Sequence, residues 1–95
     1  MVKIRWSELA IDDLNNIADF YSKYSLDFTS AIIRKLLNKP QVLKEMPELG
    51  RKVPEQDDVT IRELIEGNYR IIYQYDKQSS IVEIITVYHS SRLFK

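Results

Sequence analysis

The stretch from Ile61 to Tyr75 constrains this chain more than any other. Two runs rich in β-branched and aromatic residues flank Gly67-Asn68. Both turn residues tolerate positive φ, so the stretch predicts a β-hairpin. The second run alternates: Tyr69, Ile71, Tyr73 and Tyr75 fall on one face, Arg70, Ile72, Gln74 and Asp76 on the other. The aromatic face requires a cover, and the helices predicted upstream are the only candidates. Arg70 is then expected to project mid-strand from an uncovered face. A solvated surface arginine has the same spacing and is the commoner case.

Ahead of the hairpin, Val2, Ile4 and Trp6 alternate with Lys3 and Arg5, a short strand with one buried face. Ser7 is a plausible N-cap and Glu8 suits the first helical turn. A helix is expected to run to about Tyr24, packed through Ala10, Leu14, Ile17, Ala18 and Tyr21, with Asp12, Asp13, Asn16, Asp19 and Lys23 on its other faces. Ser25-Leu26-Asp27 breaks it, and Asp27 can cap a second helix buried through Phe28, Ala31, Ile32, Leu36 and Ile33. So short a connection makes an antiparallel helical hairpin. Pro40 predicts a break near Asn38-Lys39 and a last turn from Gln41 to Met46.

Leu49 to Asp58 has no periodicity and predicts a loop with a short extended piece near Lys52-Val53. Strands follow at Val59–Ile65, Tyr69–Tyr75 and Ile81–Tyr88. The last is apolar on both parities, as expected of an interior strand. The predicted class is α+β, in the order β-α-α-β-β-β, with the helical hairpin on one face of a mostly antiparallel sheet. Residues 1–95 are expected to form one domain.

No apolar run approaches the roughly 20 residues of a membrane span, and the charged N-terminus does not resemble a signal peptide. The chain has no cysteine and one histidine, which leaves little for a metal, and no cofactor is expected. A reducing cytoplasm is the simplest home. Formal net charge is zero, which argues against binding a long stretch of nucleic acid. Acids gather in the first third, while Arg51, Lys52, Arg62, Arg70, Arg92 and Lys95 lie in the second half, so neutrality can hide a local basic patch.

With two glycines the chain cannot make a nucleotide loop. One constellation remains: Glu55 before the hairpin, Arg70 within it and His89 closing the last strand, with Arg51 and Arg62 nearby. If these converge, they match the needs of metal-free RNA cleavage. Glu55 would take the 2′-hydroxyl proton, His89 would protonate the leaving oxygen and the Arg70 fork would hold the phosphate. A solvated loop acid and a strand-end histidine bonded to backbone explain Glu55 and His89 equally well.

Trp6-Ser7-Glu8, Pro47-Glu48-Leu49-Gly50-Arg51-Lys52-Val53-Pro54-Glu55, Ile61-Arg62-Glu63-Leu64, Tyr69-Arg70-Ile71-Ile72-Tyr73 and Val87-Tyr88-His89 with Arg92 occur in an order and spacing that resembles the RelE/ParE superfamily, the toxins of type II toxin–antitoxin pairs. The resemblance spans nearly the whole chain. It implies a cytoplasmic bacterial or archaeal protein neutralised by a cognate antitoxin. RelE-like members cut mRNA on the ribosome; ParE-like members poison DNA gyrase and lack the nuclease residues.

On the YoeB branch of the superfamily, Pro54-Glu55 matches the base, Arg70-Ile71-Ile72-Tyr73 the phosphate contact and His89 the acid. Arg51, Arg62 and Arg92 are then the candidate substrate-binding cations. Ser90 stands where that branch has Tyr, and the tail offers Leu93 and Phe94 in place of the RelE branch's Tyr. His89-Ser90-Ser91-Arg92 also departs from the His-Met-Asp ending of gyrase poisons. The resemblance therefore implies an mRNA endonuclease first, with a gyrase inhibitor or a non-toxic antitoxin-binding member as alternatives. Leu93-Phe94 is an apolar end that a partner could cover.

Overall fold

A computed structural model describes residues 1–91. The first strand, β1, spans Lys3–Trp6 and leads into helix α1, Glu8–Ser22. Ser7 joins the two. Its hydroxyl oxygen accepts the Ala10 amide at 3.0 Å and donates to the Ile85 carbonyl at 2.7 Å, so one side chain caps the helix and ties it to the last strand. Helix α1 ends two residues before the predicted Tyr24, and the Tyr24 and Ser25 amides turn back to the Tyr21 carbonyl.

Helix α2 spans Leu26–Asn38. Ser25, not Asp27, caps it, accepting the Phe28 amide at 3.1 Å. Asp27 lies in the first turn, where its charge complements the helix dipole. Phe28 departs from its predicted burial. It is 51% exposed, with its ring edge-on to Tyr21 at 5.0 Å. At Pro40 the α-helix gives way to a 3-10 helix over Lys39–Lys44, near the predicted break.

Strands β2 (Arg51–Lys52), β3 (Ile61–Glu66), β4 (Tyr69–Asp76) and β5 (Ile81–His89) follow. The sheet order is β1-β5-β4-β3-β2, with β1 parallel to β5 and every other pair antiparallel. Strand β5 is interior, as its apolar pattern implied. Gly67, at φ 59°, turns β3 into β4 and fixes the register Glu66 to Tyr69.

Ala10, Leu14, Leu36 and Leu43 cover Leu64, Tyr69, Ile71, Tyr73, Val82, Ile84 and Val87 of the sheet. The aromatic face of the hairpin is therefore the helix-covered face. The opposite face is not open as expected. Val53 packs on Ile72 and Tyr88, with Ile61 and Ile85 beside them. Full burial of a large apolar side chain is worth about 1.5–3 kcal/mol. The helix-side cluster thus carries most of the fold, and the small second cluster holds the segment after β2 against the sheet.

Strand β5 carries a bulge. Ile72 pairs with Thr86 and Tyr73 with Ile84, leaving Ile85 as the extra residue. The side-chain alternation shifts by one there. Val82 and Ile84 before the bulge and Val87 after it all face the helices. Its effect reaches the candidate site.

Candidate functional site

Arg70 and Glu55 meet. The Arg70 Nη1 and Nη2 groups donate to the two carboxylate oxygens of Glu55 at 2.7 and 2.9 Å, a bidentate fork. The Arg70 Nε donates to Glu63 at 2.5 Å, and Arg51 Nε donates to the other Glu63 oxygen. The result is a chain of alternating charge, Arg51–Glu63–Arg70–Glu55. The Glu63 side chain is fully buried and that of Arg70 is 7% exposed. The pair with Glu55 first, and then that with Glu63, raises the Arg70 pKa further despite the opposing effect of burial. The Tyr88 ring lies against the guanidinium, 5.4 Å from centroid to Cζ.

The local sequence explains the cluster. In an antiparallel pair joined by a two-residue turn, Ile65 faces Arg70 and Glu63 faces Ile72. Glu63 and Arg70 are diagonal neighbours on one face, within reach of long side chains. Val53, anchored at 2% exposure, then brings Glu55 over the guanidinium. Arg70 is accordingly neither the solvated surface arginine nor the open projecting cation that spacing suggested. Its reading also missed Glu63, whose role follows from the register set by Gly67-Asn68.

His89 does not join them. It pairs with Tyr69, while Tyr88 pairs with Arg70. Alternation after the bulge sends His89 to the helix side and leaves Arg70 and Tyr88 on the other. The imidazole stands edge-on to Tyr69 at 5.6 Å between ring centroids, in a shallow hollow of about 370 Å³ shared with Asn16 and Phe20. The Ser91 amide donates to Nδ1 at 3.1 Å, so the neutral ring carries its proton on Nε2. The expected convergence of Glu55, Arg70 and His89 in one hollow is not met: the structure joins the first two and puts the third across the sheet.

The candidate substrate cations divide as well. Arg51 is largely exposed and ion-paired to Glu63. Arg62 lies on the helix-side parity and donates to the Gly50 carbonyl at 2.8 Å. Arg92, with Leu93 and Phe94, lies outside the described residues. The Pro47-Gly50 turn that receives Arg62 is also held by Tyr73. Its hydroxyl accepts the Gly50 amide at 2.9 Å and donates to the Pro47 carbonyl at 2.9 Å. A Cβ at Gly50 would fall 2.6 Å from that hydroxyl and 2.7 Å from the Glu63 carbonyl, which accounts for glycine there. Asp13, predicted on an outer face of α1, instead turns to the sheet: one carboxylate oxygen accepts the Thr86 hydroxyl and the Val87 amide.

A helical hairpin on one face of this mixed sheet is the architecture of toxins from toxin–antitoxin pairs. Solved structures share it. The chromosomal ParDE system of P. aeruginosa contains a chain matching at a TM-score of 0.77 and 16% identity, over 94% of this chain and 96% of that one. The intact RelBE complex of E. coli matches at 0.61 and 16%, over 97% and 100%. RelBE2 of Mycobacterium tuberculosis matches at 0.58 and 18%, over 93% and 96%. No curated protein matches the chain in sequence. A family model described as ParE toxin of type II toxin-antitoxin system, parDE, matches residues 4–94. The chain belongs to that family and is the toxin of a type II toxin–antitoxin system. No helix among the described residues is long and apolar enough to cross a membrane.

Proposed function

We propose that this toxin acts in the cytoplasm by binding a protein target, DNA gyrase, and that a cognate antitoxin neutralises it. One observation carries the reading: the guanidinium that phosphate binding would need is spent on Glu55 and Glu63, with His89 on the opposite face. Metal-free cleavage needs an acid, a base and a cation around one phosphate. Here the cation is neutralised by its own neighbours and the acid is across the sheet. Membership of the ParE family supports the same target.

A second reading, ribosome-dependent mRNA cleavage, is favoured by the direct contact of Glu55 with Arg70. It requires Arg70 to exchange Glu55 for phosphate, with Arg51, Arg62 and Arg92 assisting. The test takes purified protein into a gyrase supercoiling assay and, in parallel, a translation extract followed by primer extension. Arrested supercoiling with accumulation of cleaved DNA, and uncut transcripts, is the expected result. Codon-phased cuts that vanish in His89→Ala, with supercoiling untouched, would replace the first reading by the second.

A further inference from the structure

At the end of the β3–β4 hairpin away from Gly67 lies a cavity of about 510 Å³, a size common among small-molecule clefts. Its walls carry two cations, Arg62 and Lys77, against two acids, Glu48 and Asp76. Asp76 is partly committed, since its Oδ1 accepts the Gln78 amide at 3.0 Å in the β4–β5 turn. No ion pair joins Arg62, Lys77 or Glu48 to any of the described residues. Arg62 is half-buried and donates through Nη1 to the Gly50 carbonyl; no other described residue accepts from its guanidinium, which has five donors.

Arg62 and Glu48 are neighbours without being partners. Burial raises the Tyr73 pKa; the Gly50 hydrogen bond and the Arg62 charge lower it, and the Glu48 charge raises it. Both charges therefore lie within electrostatic reach of one phenol, yet no ion pair closes between them. An acid and a guanidinium that line one cavity in this way leave a gap that a molecule carrying both charges can bridge. Val59, 58% exposed, and Tyr75, which packs on the edge of the core, add an apolar wall.

We propose that this cavity binds a free α-amino acid with an aromatic or large aliphatic side chain. The carboxylate takes the Arg62 fork, with Lys77 beside it. The ammonium goes to Glu48, and the side chain lies on Tyr75 and Val59. A phosphate ester would bring further negative charge to walls that already hold two acids. A wholly apolar ligand would desolvate Arg62 and Glu48 without pairing either. A zwitterion satisfies both, so the observations favour it. The inference is independent of the gyrase reading, since Glu55, Arg70 and His89 lie outside this cavity.

The probe is L-phenylalanine, titrated into the ¹⁵N-labelled protein to about 20 mM, well above the roughly millimolar Kd of so small a ligand at an open site. Saturable shifts are expected at the amides of Val59, Arg62, Tyr75 and Lys77. Hydrocinnamate, which lacks the ammonium, and phenethylamine, which lacks the carboxylate, should each bind about tenfold more weakly. Glu48→Gln should weaken L-phenylalanine by about tenfold and leave hydrocinnamate unchanged. Glu48 is exposed, so this variant tests the site without disturbing the core. An absence of saturable shifts would overturn the proposal. So would equal binding of hydrocinnamate, an affinity for L-phenylalanine that Glu48→Gln leaves untouched, or inorganic phosphate that shifts these amides more strongly than the amino acid does.

Discussion

Glu63 and Arg70 form an ion pair with almost no contact with solvent, at side-chain exposures of 0% and 7%. Such a pair is costly to desolvate, and its removal from one side leaves an uncompensated charge. Arg70→Met should therefore leave the buried Glu63 with only the largely exposed Arg51 as partner and destabilise the protein by about 3 kcal/mol, the low end of what breaking a buried pair costs. In a domain of this size that corresponds to a fall in Tm of well over 10 °C, on the order of 4–8 °C per kcal/mol. The double variant Arg70→Met with Glu63→Leu should recover much of the loss. Thermal unfolding of the two variants checks this; equal loss in both would mean that the buried Glu63 charge is not the cause.

Tyr73 and Gly50 should fail together. Tyr73→Phe leaves the Gly50 amide and the Pro47 carbonyl without their partner, a cost of about 1–3 kcal/mol for each buried group left unsatisfied. Gly50→Ala forces backbone and phenol apart, at about 1–3 kcal/mol for an overpacked site. Both act on one turn, so a double-mutant cycle by urea unfolding should show losses that are less than additive.

The Asp13 carboxylate replaces a neighbouring strand for the part of β5 that β1 does not reach. Asp13→Ala should expose the Val87 amide. Hydrogen exchange should quicken at Val87 in the variant and stay unchanged at Ile71, within the β4 ladder. Uniform acceleration across the sheet would show a global loss instead.

At high pH the tyrosines decide. Burial, followed by the hydrogen bond to Tyr21, raises the Tyr69 pKa, and burial raises that of Tyr73. A folded pKa above the unfolded value of about 10 means stability that is fully present below pH 10 and lost as pH climbs through the folded values. Ultraviolet titration should show a phenol fraction ionising above the ordinary range, together with unfolding. Tyr69→Phe should remove part of that late fraction; a titration unchanged by this variant would refute the assignment.

Much of the fold was legible because period and turn chemistry agree. Gly67-Asn68 between alternating runs placed Tyr69, Ile71 and Tyr73 under the helices, and the two-sided apolar pattern of β5 placed it inside the sheet. The cap of α2 was misread because Ser25 and Asp27 are both capable caps, and only the helix start separates them. The pair of Glu55 with Arg70 was within reach of the sequence; its burial was not, since a segment without periodicity gives no sign of folding back through Val53. Glu63 needed the register carried across two strands. The position of His89 could not be read from alternation, because a bulge leaves no necessary mark in composition.

The extra residue in β5 thus acts as a parity switch. Were Ile85 held in strict alternation instead of standing out unpaired, the imidazole would fall on the guanidinium side and the Tyr88 ring toward the helices; the bulge reverses both. Whether one residue of the strand bulges or alternates is enough to decide whether acid and cation share a surface in a sheet of this topology. Among proteins built on this plan, the β4 residue that the terminal histidine pairs with is therefore a more telling measure of chemical capacity than the presence of the histidine itself.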